Sequence, residues 1–171
     1  MNQDASTAKA AIDKISPSFC AAKWLQTTLH LHDGFTHSCY HPLRHTIPLR
    51  EIQENPDALH NTAFKLKQQA LMLAGTRPPE CSYCWKIEDL PSSPVSDRHI
   101  KSGESWAWPH LDRLASLKPG DRVNPTYLEV SFSIACNFKC SYCSPNISSA
   151  WRQEVRKFGP NFGSLTGLHS H

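Results

Sequence analysis

Long apolar stretches are the first thing this chain lacks. No run approaches the roughly 18 consecutive apolar residues that a membrane-spanning helix needs. No block of like charges breaks the modest net charge of +3 either. A membrane anchor and a nucleic-acid-binding stripe are therefore both without support, since recognition of a polyanion rests on concentrated Lys and Arg. The start of the chain, with Asp4 and Lys9 set among small polar residues, lacks the charged-then-apolar layout of a secretory signal. Cysteine, by contrast, is plentiful: seven in 171 residues. Without export signals, that number points to metal or redox chemistry in a reducing cytoplasm and not to a disulfide framework. The length suits one ordinary domain or two small ones.

Three of the cysteines, Cys136, Cys140 and Cys143, spell C-x-x-x-C-x-x-C. Thiolates this close in sequence can ligate three irons of a cubic cluster and leave the fourth uncovered, whereas ordinary ferredoxin-type clusters take four cysteines. An iron one ligand short keeps a corner open to a small molecule, as catalytic metal sites do. Upstream, residues 127–134 alternate apolar and polar, which predicts a strand. Leu128, Val130, Phe132 and Ile134 would form its packed face, with Glu129, Ser131 and Ser133 opposite. Residues 135–143 then read as a loop and 149–156 as a helix, with Asn146, Ser148 and Ser149 placed to cap it.

A strand, a cysteine loop and a helix in that order, with aromatic Tyr142 directly before the third cysteine, resemble the first β/α unit of the radical S-adenosylmethionine (SAM) superfamily. The resemblance implies a [4Fe-4S] cluster on Cys136, Cys140 and Cys143, with Tyr142 beside it and SAM chelating the unique iron. It implies reductive cleavage of SAM to methionine and a 5′-deoxyadenosyl radical, which abstracts hydrogen from a peptide or small-molecule substrate. An electron donor of the flavodoxin or ferredoxin kind goes with that chemistry. Structural zinc is the competing reading: Cys81-x-x-Cys84 and Cys140-x-x-Cys143 could form a ribbon-like site, leaving Cys136 surplus.

The remaining cysteines are Cys20, Cys39, Cys81 and Cys84. Asp33-Gly34 between strand-like runs signals a hairpin with a tight type I′ turn. That would place Cys39 on the returning strand, and the chain at Ala21, Ala22 and Lys23 must bend back to keep Cys20 near it. A helix should follow, capped by Asn55, opened by Pro56 and ended by Gly75, with Leu59, Ala63, Leu66, Ala70 and Leu73 on its apolar face. It would return Cys81 and Cys84 to Cys20 and Cys39. Four cysteines saturate a cubic cluster or a zinc ion equally well.

This stretch is similar to the auxiliary-cluster modules known as SPASM and twitch domains, whose opening pattern is met by Cys20, Gly34 and Cys39. Residues 87–125 contain no further cysteine, so the resemblance is to the shorter twitch form with one auxiliary [4Fe-4S] cluster. Here the module precedes the radical SAM core, whereas in most relatives it follows. The expected organisation is an N-terminal tail over 1–18, the auxiliary module over 19–89, a linker with a short helix over 90–125, and the start of a radical SAM core over 126–171. In fold class this is an α+β and α/β chain: a small hairpin-plus-helix module followed by the first β/α unit of a truncated partial TIM barrel.

Other residues carry less. His30, His32, His37, His41 and His45 are expected on exposed strand faces and loops, Trp106 and Trp108 in packing, and Asn137 and Lys139 in solvent. Glu88 and Asp89 read as the charged end of the module. No Gly-Gly-Glu-like segment follows the cysteine loop, and one βαβ unit already needs about 30 residues. The chain is accordingly expected to be the front part of a radical SAM enzyme, too short for turnover alone, with a polar, glycine-rich tail. Two alternatives stay open: an iron–sulfur electron carrier or accessory subunit, and a zinc-stabilised interaction module.

Overall fold

The computed structural model describes residues 1–92 and 94–160. The tail at 161–171, read above as polar and glycine-rich, lies outside the described residues. The fold is mixed α and β with one small sheet, and the chain divides into two compact units, Met1–Val130 and Ser131–His171.

The first unit opens with helix α1 (Ala5–Ile15), not with the expected tail. Asp4 caps it, its carboxylate accepting from the Ser6 and Thr7 amides, both at 3.0 Å. Ala8 and Ile12, one turn apart, are fully buried, so the helix docks through an i, i+4 stripe. It packs on α6 (Asp97–Ser102) from the stretch read as a linker. Gly103 permits the approach, because a Cβ there would meet the Gln3 carbonyl oxygen at 2.8 Å.

Helix α2 (Ala22–Leu25) supplies the expected bend after Cys20 and feeds strand β1 (Gln26–His30). Strand β2 (Phe35–His37) returns antiparallel, Leu29 opposite Thr36, and β3 (His45–Thr46) adds to β2. The turn is longer than the two-residue form expected: residues 31–34 make it, and Gly34 alone has positive φ, +74°. Cys39 consequently lies just past β2 and not on it. Strand β4 (Tyr127–Ser131) completes the sheet order β3-β2-β1-β4. It is shorter than the alternation predicted, stopping before Phe132.

The helix expected to run from Asn55 to Gly75 is broken. Helix α3 (Leu49–Glu54) comes first, then a 3₁₀ turn (Pro56–Leu59) capped by Asn55, then α4 (Ala63–Leu73). Thr62 starts α4 afresh by accepting from the Lys65 amide at 3.1 Å. Its buried side chains are Lys65, Gln68, Gln69 and Met72, not the predicted apolar stripe. The reason is polar. This face lies against the α2–β1 backbone, where Gln69 Nε2 donates to the Lys23 carbonyl (3.1 Å) and Lys65 Nζ to Thr27 Oγ1 (3.0 Å). Buried carbonyls need partners, and apolar side chains would supply none.

A second 3₁₀ turn (Pro79–Cys81) leads into α5 (Ser82–Glu88). The expected short helix over 105–117 appears as a 3₁₀ turn (Trp108–His110) and α7 (Leu111–Ala115). The core joins Ile12, Phe19, Trp24, Leu25, Met72, Trp85, Leu114 and Val123, with Phe19 stacked on Trp24 at 4.6 Å and Trp106 and Trp108 packed at its border. The second unit, as described, is a loop followed by α8 (Ser149–Phe158), none of whose side chains is fully buried. Among the described residues, no helix is long and apolar enough to cross a membrane.

Candidate metal centre

Cys20, Cys39, Cys81 and Cys84 all line one pocket in the first unit. Each comes from its own local device. Cys20 precedes the α2 bend, Cys39 follows the hairpin, Cys81 ends a 3₁₀ turn, and Cys84 stands one turn on, in α5. The Trp85 indole fixes that last turn by donating to the Pro78 carbonyl at 2.8 Å. All four thiols are free.

The pocket is electrostatically unusual. Burial, then the neighbouring thiols Cys39, Cys81 and Cys84, push the Cys20 thiol up to about 12. Burial pushes Cys81 up to about 11, and it raises Cys39 and Cys84 as well. Pulling the other way are cations that the sequence reading passed over. Lys23 acts on Cys39 and Cys81, Lys101 on Cys39 and Arg98 on Cys20. The Arg98 amide and the Ser96 hydroxyl face the Cys84 sulfur, and the His41 amide faces Cys39.

Two of the cations are fully enclosed. The Lys23 side chain is 4% exposed and its Nζ lies 2.5 Å from Glu80. Burial works against its charge, but Cys81 and Glu80 outweigh that and hold the ammonium above its ordinary range. Arg98 grips Glu88 through Nε (2.9 Å) and Nη2 (3.0 Å), reaches Asp13 (3.1 Å) and donates to the Phe19 carbonyl (2.8 Å). Glu88 is thus an internal ion-pair partner and not the exposed end of the module, while Asp89 pairs with Arg77 on the surface. The signal for Lys23 was present in the sequence: it stands three residues past Cys20, at helical spacing.

Among the described residues, no three or more His, Cys, Asp or Glu side chains close on a point where one metal ion would sit. The four thiols ring a small void instead. A tetrahedral zinc with bonds of about 2.3 Å needs its thiolates gathered tightly around one atom. Four soft sulfurs with buried cations behind them are a donor set that both a cubic iron–sulfur cluster and zinc can use.

The histidines are half-buried, not exposed as expected, and most have hydrogen-bond partners. His30 and His37 face each other through Nε2 at 3.1 Å, and His37 Nδ1 meets the Cys39 carbonyl at 2.7 Å. His41 pairs with Asp97 (2.6 Å) and stacks on Tyr83, and His45 meets Thr62 at 2.8 Å.

In the second unit, the loop holding Cys136, Cys140 and Cys143 is secured by the start of α8. Ser149 Oγ accepts from the Cys136 amide (2.9 Å) and donates to its carbonyl (3.0 Å). Ser148, the helix cap foreseen above, accepts from the Trp151 amide and donates to the Phe138 carbonyl at 3.1 Å. The Trp151 indole donates to the Cys140 carbonyl at 2.9 Å. The Phe138 amide points at Cys136 Sγ (3.4 Å), an N–H···S contact of the kind that tunes iron–sulfur potentials. Partial desolvation, then the Cys140 and Cys136 thiols, raise Cys143. Tyr142 is 84% exposed and its phenol is raised by Cys140 and then Cys143, while among the described residues the three thiols do not close on one metal point. Phe132 and Phe138 are also exposed. No family model, curated protein or solved structure matches this chain, so the two cysteine sites stand on their own geometry.

Proposed function

We propose that this chain is a radical SAM iron–sulfur protein with two [4Fe-4S] clusters. Cys136, Cys140 and Cys143 would hold the SAM-binding cluster, and Cys20, Cys39, Cys81 and Cys84 an auxiliary one in a twitch-like module. The carrying observation is that four cysteines scattered over the first unit meet around one cation-lined pocket, in a chain that also bears the C-x-x-x-C-x-x-C loop. When bound, such a cluster with SAM supplies reductive cleavage to a 5′-deoxyadenosyl radical for hydrogen abstraction. The chain's own contributions are structural and electrostatic. Ser148, Ser149 and Trp151 hold the loop backbone, the Phe138 amide addresses one ligand sulfur, and Lys23 and Arg98 offset thiolate charge in the buried site. Substrate, a peptide or small molecule, and a flavodoxin- or ferredoxin-like donor complete the reading, in a reducing cytoplasm.

A pocket ringed by four cysteines needs no SAM to complete its ligands, which favours a second reading, an iron–sulfur accessory subunit. The test is anaerobic reconstitution of the full chain, with iron, sulfide and zinc counted and the reduced protein followed by electron paramagnetic resonance (EPR) with and without SAM. About four irons per cluster, two clusters and a SAM-dependent spectral change are expected. Two clusters without a SAM response leave the accessory reading. Colourless protein loaded only with zinc overturns both.

A further inference from the structure

We propose that Lys23 sets the reduction potential of the four-cysteine centre, with the Glu80 carboxylate acting against it. The inference rests on reading that pocket as an iron–sulfur site. Lys23 lines the pocket and pairs with Glu80, and both side chains are largely shielded, 4% and 13% exposed. Glu80 directly precedes Cys81 on the same 3₁₀ turn, and Lys23 follows Cys20 on α2, so the pair joins two ligand-bearing segments.

The electrostatics separate Lys23 from its neighbours. Lys23 lines the pocket together with Cys39 and Cys81, so the cation stands beside two ligands at once. Arg98 differs: Glu88 and Asp13 both neutralise it, and its remaining donor serves the Phe19 carbonyl. Lys101 is half-exposed and lies over the Tyr40 ring at 5.2 Å, where water screens it. In a desolvated wall a unit charge interacts strongly with its surroundings. Reduction adds one negative charge to a cluster, so a nearby cation favours the reduced form and raises the potential, while a carboxylate lowers it.

This predicts opposite shifts from the two halves of one salt bridge, which a purely structural pair would not give. The experiment is an EPR-monitored redox titration of the reconstituted full chain in a Cys140→Ala background, so that the four-cysteine cluster is read alone. Lys23→Met should move its midpoint to more negative potential and Glu80→Gln to more positive potential. Each should change the reduced-to-oxidised ratio at fixed potential tenfold or more, about 59 mV for one electron. Lys23→Arg, which keeps the charge, should stay near the parent value. Shifts in the same direction, or none, overturn the proposal. If Lys23→Met does not assemble a cluster, Glu80→Gln decides alone, and no positive shift refutes the role. A parent protein holding zinc in place of iron fails at the metal count, before any titration, and removes the underlying reading with it.

Discussion

The two cysteine sites solve opposite problems. In the first unit, Cys81 and Cys84 are built into the hydrophobic core with Phe19, Trp24 and Trp85, Cys20 packs against that core, and Cys39 lines the same pocket. Burial keeps those thiols neutral, so the unit folds without burying four negative charges, and loading a metal must expel their protons. The buried cations are already in place for the charge that follows. In the second unit, as described, no residue of the Cys136–Cys143 loop belongs to the buried core, and Phe132, Phe138 and Tyr142 are exposed. The first set includes the buried Cys81 and Cys84; in the second none of the three cysteines is buried, and the loop is held through contacts to its backbone. On the proposed function, the first set would be the fully ligated cluster and the second the one with an open position.

The sharpest way to break this comparison is to remove one ligand from each site. Cys81→Ser should cost the auxiliary cluster, about four irons per chain, yet keep the SAM-dependent EPR change. Cys140→Ala should do the reverse, abolishing the SAM response while the auxiliary signal persists. Identical behaviour of the two variants would mean a single shared site, the ribbon-like arrangement of Cys81 and Cys84 with Cys140 and Cys143.

Next in size is the buried ion pair. Arg98→Leu strands Glu88, whose side chain is 8% exposed, and should destabilise the first unit by about 3–5 kcal/mol in chemical denaturation. A loss under about 1 kcal/mol would show that the Arg98 cluster is as solvated as a surface pair, and the contrast between the units would collapse.

Acid should find the first unit before carboxylates protonate. Burial, then the charges of Lys23 and Lys65, lower His45 to about 4, and burial with Arg98 lowers His99 to about 4. Both are ordinarily near 6.5, so between pH 6.5 and 4 the unfolded chain binds more protons than the folded one. Their stabilisation is complete above pH 6.5 and is lost as pH falls toward 4, at about 1.4 kcal/mol per pH unit for each. Glu88, held below its usual 4.5 by Arg98 and Ser96 despite burial, contributes a loss only at lower pH. Denaturation midpoints across this range should show the slope, and His99→Gln should flatten it. A flat profile in the parent protein would remove these histidines from the stability argument.

What could be read from residue order was mostly what acts locally. The turn at Gly34, the Ser148 cap and the meeting of Cys81 with Cys84 all follow from short-range rules about turns, caps and spacing, whereas the bend after Cys20 follows from requiring it to meet Cys39. What escaped depends on partners distant in sequence. The buried face of α4 is polar because the Lys23 carbonyl and Thr27 hydroxyl need donors, which no periodicity of Leu59, Leu66 and Leu73 could announce. Arg98, in a stretch that reads as linker, belongs to the pocket only because α6 folds back on α1 and Phe19. Helix α1 is a different case: its Ala8–Ile12 spacing is local and legible, although residues 1–18 read as a tail.

The smallest expected effect probes the open site. Lys139 and Glu154 pair at 2.9 Å across the cysteine loop and α8, with side chains 49% and 33% exposed. Solvent screening and the entropy of two long side chains hold such pairs to under about 1 kcal/mol. Lys139→Ala should therefore leave the thermal midpoint, iron content and SAM response almost unchanged, because the serine and Trp151 contacts to the loop backbone remain. If that single change instead emptied the three-cysteine site, the loop would owe its shape to surface charge. The distinction between a site secured by a core and one secured by backbone contacts would then have to be redrawn around Lys139.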